Sequence, residues 1–100
     1  MRGYTHNAIE IVAPESITLT LGQDYVIETP VVLFNGEPVN AKMSYFSEQH
    51  KGFTGNVFSY FTVNDDNSFT PTREGTTQLR ITAYYNHEVR TVLVPVEVVE

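Results

Sequence analysis

Apolar and polar residues alternate along this chain in short runs, each closed by a turn signal after about 8 to 12 positions. Ala8 to Ala13 forms a first short strand stopped by Pro14, and Ile17 to Leu21 alternates strictly, so that Ile17, Leu19 and Leu21 share one face. Gly22 to Asp24 turns the chain into Tyr25 to Thr29. After Pro30 the apolar run Val31 to Phe34 ends at Asn35-Gly36, a pair that favours the positive φ angles of a tight hairpin turn. The return strand is expected over Val39 to Ser47. A polar loop over Glu48 to Gly52, prolonged by Phe53 to Asn56, separates it from a β pattern over Val57 to Val63.

Asn64 to Ser68 is rich in side chains that bond their own backbone, which predicts a turn before Phe69-Thr70. In the stretch FTPTREGTT, residues 69 to 77, Pro71 fixes φ and Gly75 supplies backbone freedom. Arg73 and Glu74 are expected as solvated corner residues between them. The strand launched there places Thr77, Leu79, Ile81, Ala83 and Tyr85 on one face and Gln78, Arg80, Thr82 and Tyr84 on the other. Asn86-His87 closes a hairpin into Val89 to Val99, with Val92, Val94, Val96 and Val98 inward and Pro95 and Glu97 outward. Pro95 cannot donate to a ladder and is expected at a solvent-facing or bulged position.

No segment has a helical period, and the strand spacing predicts an all-β two-sheet sandwich, with a small barrel as the rival. Composition agrees: valine, isoleucine and threonine number 30, against nine alanines and leucines, and branched side chains favour a pleated, half-buried backbone. One hundred residues suffice for one domain, expected over residues 8–100 behind an arm of residues 1–7. Fully extended, that polar arm reaches on the order of 20 Å. It is read as either a disordered end or a docked segment, and docking makes Arg2, Tyr4 and His6 partner-binding candidates.

The net charge of -6 is spread out, and the six lysines and arginines do not cluster, which argues against nucleic-acid binding. No apolar run approaches the roughly 18 to 20 residues of a membrane span, so membrane insertion is not expected. With Met1 as the start, Glu10 and Glu15 interrupt any apolar stretch of signal-peptide type, and export by that route is not expected. The absence of cysteine leaves stability to the hydrophobic core.

Five stretches, in order and spacing, resemble the bacterial immunoglobulin-like domains of group 2. They are Ile17 to Gln23, Asn35 to Val39, Met43 to Ser47, Phe61 to Phe69 and Glu74 to Ala83. The likeness covers residues 9 to 99. It departs where Tyr45 stands at the place of the family's usual tryptophan, and in the long aromatic loop between residues 47 and 57. The resemblance implies an immunoglobulin-like β-sandwich of seven to nine strands in two antiparallel sheets with Greek-key connections. Such domains occur in bacteriophage virion proteins and bacterial surface adhesins. The expected role is therefore a virion accessory protein, a capsid decoration or head or tail surface component, with capsid or tail proteins as partners and the virion surface as location. A spacer domain of a bacterial cell-surface adhesin is the alternative. A carbohydrate-binding module recognising a host-surface glycan is the third reading.

Catalytic chemistry is not expected. His6, His50 and His87 lack metal-ligand spacing, and none of the five serines sits in a nucleophile elbow. The three histidines are expected in solvent-exposed turns. No cofactor is expected, and the nearest approach to a metal site is a weak calcium candidate at Asp65 and Asp66. Six of the twelve aromatics fall between positions 45 and 61, more than alternation can bury. Either the loop folds over a hydrophobic anchor at Phe53, or it presents an interface patch. The second reading makes His50, Lys51 and Phe53 partner-binding candidates, joined by Tyr84 on the outer face of its strand.

Overall fold

A computed structural model describes residues 9–100. The expected arm over residues 1–7, with its candidates Arg2, Tyr4 and His6, lies outside the described residues. Among those described there are twelve strands and no helix. In chain order they are β1 (Ile9–Val12), β2 (Ile17–Thr20), β3 (Tyr25–Val26), β4 (Val31–Phe34), β5 (Glu37–Val39) and β6 (Lys42–Ser47), followed by β7 (His50–Lys51), β8 (Val57–Phe58), β9 (Phe61–Val63), β10 (Ser68–Pro71), β11 (Gly75–Tyr85) and β12 (Glu88–Val99).

Two three-stranded sheets, in the orders β1-β4-β5 and β3-β10-β9, accompany a four-stranded sheet in the order β2-β12-β11-β6. A small β7-β8 hairpin completes the set. All three larger sheets contribute to one apolar cluster. Ile9, Ile11 and Val32 come from the first, Phe61 and Phe69 from the second, and Leu19, Tyr45, Leu79, Ile81 and Val96 from the third. The result is an all-β, sandwich-like domain. Phe69 is the hub of its aromatic part, with ring centroids 5.3 Å from Phe61, 6.0 Å from Tyr25 and 6.1 Å from Tyr45. Burial pushes the Tyr45 hydroxyl pKa up, because the charged form is disfavoured away from water.

Period-two alternation places residues as expected along β11 and β12. Thr77, Leu79, Ile81 and Ala83 are buried and Tyr85 partly so, while Gln78, Arg80 and Tyr84 are exposed. Val94, Val96 and Val98 are buried, Val92 is half-buried, and Pro95 and Glu97 are exposed. Pro95 directly precedes the β2 pairing, which begins at Val96, so its missing N–H costs no bond in that ladder. Both hairpin turns have positive φ at their two central residues: 53° and 84° at Asn35-Gly36, 52° and 64° at Asn86-His87.

Three departures have local causes. β2 runs parallel to β12, with Ile17 opposite Val96, so the sheets are not purely antiparallel. The apolar run Val39 to Ser47 is not one strand. β5 ends at Val39 in the sheet of β4, the chain crosses at Asn40-Ala41, and β6 pairs with β11. The run Val57 to Val63 is likewise broken at Ser59-Tyr60, which leaves Phe58 and Tyr60 half-buried and sends Phe61 into the core.

Candidate docking hairpin

The β7-β8 hairpin spans His50 to Phe58 and carries three of the partner-binding candidates, His50, Lys51 and Phe53. Its strands pair over only two positions, His50 with Phe58 and Lys51 with Val57. The turn between them is closed by Gly52 N–H donating to the Asn56 carbonyl at 2.6 Å and Gly55 N–H donating to the Gly52 carbonyl at 3.0 Å. So short a ladder is marginal in water by itself. Side chains from elsewhere in the chain hold its base.

The His50 ring stacks on Phe58 at 5.7 Å and meets Tyr60 edge-on at 4.9 Å, while Phe58 and Tyr60 meet edge-on at 5.6 Å. The Arg73 guanidinium lies 4.1 Å from the Phe58 ring centroid and 6.0 Å from that of Tyr60, within reach of the electron-rich ring faces. Tyr60 is clamped from a second direction: its carbonyl accepts from the Thr72 N–H at 2.9 Å, and its ring lies against the Gly75 backbone. A Cβ at position 75 would collide with that ring, and φ there is 148°, so the close approach requires glycine. Arg73 is exposed, as expected of a corner residue, yet it covers an aromatic ring; the turn FTPTREGTT is half of the hairpin's support.

His50 is half-buried and joined to the fold, not a free turn histidine. Its Nε2 shares a 2.8 Å hydrogen bond with the hydroxyl of Thr77, a residue only 4% exposed whose polar group finds its partner there. Glu48 Oε1 is 3.8 Å from the same nitrogen. A histidine beside a hydroxyl is the opening of a nucleophile-base pair, but the carboxylate sits at the nitrogen that already meets the hydroxyl, and the hydroxyl is buried from any substrate. The arrangement anchors β7 to β11.

At the other end of this hairpin the side chains point into solvent. Phe53, at the apex, is fully exposed at 107%, Val57 is 65% exposed, and Lys51 is exposed beside them. This overturns the reading of Phe53 as an anchor beneath the loop: the Gly52 to Asn56 turn lifts it away from the body, and Phe58 and Tyr60 occupy the anchoring position. The base and apex thus divide the aromatics between holding and presenting. The missing clue in the sequence was Arg73, 15 positions after Phe58, whose role needs the β10-β11 turn to come alongside.

The other candidates are separate from this site. Tyr84 lies on the outer face of β11, 47% exposed, in a row with Lys42 and Val89. His87 occupies the exposed β11-β12 turn. Asp66 accepts hydrogen bonds from the Ser68 hydroxyl at 2.6 Å and the Ser68 N–H at 3.0 Å, which hold its carboxyl below the usual carboxylate range. Asn64 adds bonds to Ser68 and Thr70, so the segment around Asp65 and Asp66 is occupied with closing its turn. Among the described residues no group of three or more His, Cys, Asp or Glu side chains is placed to hold a metal ion. Compared with protein-family models, curated proteins and solved structures, the chain matches none.

Proposed function

We propose that this chain is a non-catalytic, immunoglobulin-like interaction domain that docks on a protein surface through the apex of the β7-β8 hairpin. The fully exposed Phe53, held on a braced base, carries the reading. An aromatic ring presented without freedom to collapse loses little entropy on entering an apolar pocket, and this is how binding anchors act. Lys51 beside it contributes a long stem and a charge at the rim.

Strand connectivity supports the immunoglobulin-like part. Taken as one strand interrupted at Pro30, β3 and β4 join β1 on one side to β10 and β9 on the other, while β6, β11 and β12 form the opposite sheet. This arrangement is compatible with strands A, B, E, D and C, F, G of an immunoglobulin sandwich, with β5 an additional strand on β4 and β2 as the part of the first strand that switches sheets at Pro14. The setting implied by the resemblance is a virion, where the domain serves as a capsid decoration or head or tail surface component and its acidic surface keeps particles apart.

A photo-reactive benzoylphenylalanine at position 53, illuminated in the lysate of the source organism, tests this. One discrete adduct, identified by mass spectrometry as a capsid or tail protein and absent when the same group is placed at the exposed Thr62, is the expected result. No adduct at position 53, together with specific retention on a glycan array, favours the carbohydrate-binding reading. Phe53→Ser that leaves partner binding unchanged favours a passive spacer and contradicts apex docking.

A further inference from the structure

Among the described residues, strand β6 is the longest that ends a sheet: six residues that pair with β11 on one side and form no ladder on the other. Edges of this kind are normally defended by proline, bulges or inward-pointing charge. β6 reads Lys42-Met43-Ser44-Tyr45-Phe46-Ser47, with a single lysine at its first position and neither proline nor glycine. An open groove of ≈ 380 Å³ runs beside it, lined by Tyr45, Phe46 and Ser47 and, across from them, Thr62 and Val63 of β9.

The ladder identifies the free backbone groups. Glu48 N–H donates to the Gln78 carbonyl at 3.1 Å, continuing the β6-β11 register in which Ser47 faces Leu79. In an antiparallel pair such bonded positions alternate. Residues 44, 46 and 48 therefore turn their peptide groups toward β11, and Met43, Tyr45 and Ser47 turn theirs toward the groove.

We propose that two copies of this chain pair antiparallel through β6, with a twofold axis at Tyr45, to make one continuous eight-stranded sheet. Bonding requires odd residues against odd residues, and three such registers pair at least two outward residues of each strand: those facing Ser44, Tyr45 or Phe46 with itself. Only the Tyr45-centred register places Met43 opposite Ser47 at both ends and so uses all three outward positions of each strand. The same register sets Lys42 of one copy opposite Glu48 of the other, twice by symmetry, and opposite charges across a non-bonded pair are favourable. Phe46, 53% exposed on the outer face, then lies beside Ser44 of the other copy and diagonal to its own counterpart, and loses part of its exposure. Because each β6 has one open edge, the pairing closes at two copies and does not propagate.

Sedimentation equilibrium of the full chain at low salt tests the proposal. A dimer is expected in the micromolar range. Ser47→Pro removes an outward N–H without touching the β11 ladder and is expected to give a monomer with a native circular dichroism spectrum. Lys42→Glu or Glu48→Lys alone is expected to weaken dimerisation about tenfold, and the double exchange to restore it, which reports the register directly. Phe53→Ser leaves the dimer intact, so this pairing and apex docking stand or fall separately. A wild-type monomer at 100-fold higher concentration, a dimer that survives Ser47→Pro, or a double exchange no better than the single ones overturns the proposal.

Discussion

The β11-β12 ribbon and the β7-β8 hairpin are both antiparallel pairs closed by tight turns, but they are stabilised in opposite ways. The ribbon pairs over eleven positions, and its inward residues Leu79, Ile81, Val94 and Val96 are core. The hairpin pairs over two and buries no core residue of its own. It is held by Thr77 and Arg73 from beyond its own span, and by the Tyr60 ring seated on Gly75. The ribbon's stability is written in its own alternation. That of the hairpin depends on residues brought alongside by the β10-β11 turn, and its apex is left in solvent.

The contrast can be broken from either side. Leu79→Ala removes a fully buried ribbon side chain and is expected to lower unfolding free energy by about 2–5 kcal/mol in a urea titration. A loss under 1 kcal/mol would show that the ribbon is not where stability resides. Gly75→Ala strikes the junction of the two regions, since the added methyl meets the Tyr60 ring at a positive φ. A loss of about 1–3 kcal/mol is expected, accompanied by faster amide exchange over residues 50–58. Arg73→Ala is expected to cost about 0.5–1 kcal/mol, with the exchange again localised to the hairpin. Exchange spread evenly through β11 and β12 would contradict the division of labour.

The smallest effect concerns the β9-β10 turn. Asp66 is favoured in its charged form by the two bonds from Ser68, so its contribution is present above the carboxylate range of the unfolded chain and is lost as pH falls through its depressed folded value. Comparing wild type with Asp66→Asn by urea unfolding from pH 7 down to pH about 2 should show a stability gap that closes below about pH 4. A gap that persists unchanged at the acid end would mean that the Ser68 bonds do not depend on the charge.

Much of the fold was readable in the chain because alternation encodes facing: Thr77 to Tyr85 and Val92 to Val98 fall on the sides their pattern assigns. Alternation does not encode which sheet a strand joins. Val39 to Ser47 looked continuous because the crossing at Asn40-Ala41 has neither glycine nor proline to mark it. The parallel β2-β12 pair was unreadable for the same reason, since the hydrophobic faces of Ile17 and Leu19 are equally served by either direction. At the hairpin, local reading found the right residue types but left the division between anchor and exposed patch open. His50 and Arg73 looked like solvated turn residues because their partners, Thr77 and Phe58, are 27 and 15 positions away, and Phe53 could be either anchor or exposed tip because nothing nearby said that Phe58 and Tyr60 would take the anchoring place.

The presentation of the apex is tested most directly by Phe53→Trp. The chain contains no tryptophan, so the variant carries a single indole at the hairpin tip. In dilute solution without a partner, its emission should be that of an indole in water, iodide should quench it nearly as well as free tryptophan amide, and the amides at the hairpin base should remain protected from exchange. A blue-shifted, iodide-resistant emission from the folded monomer would show the apex collapsed onto the domain and would contradict the account.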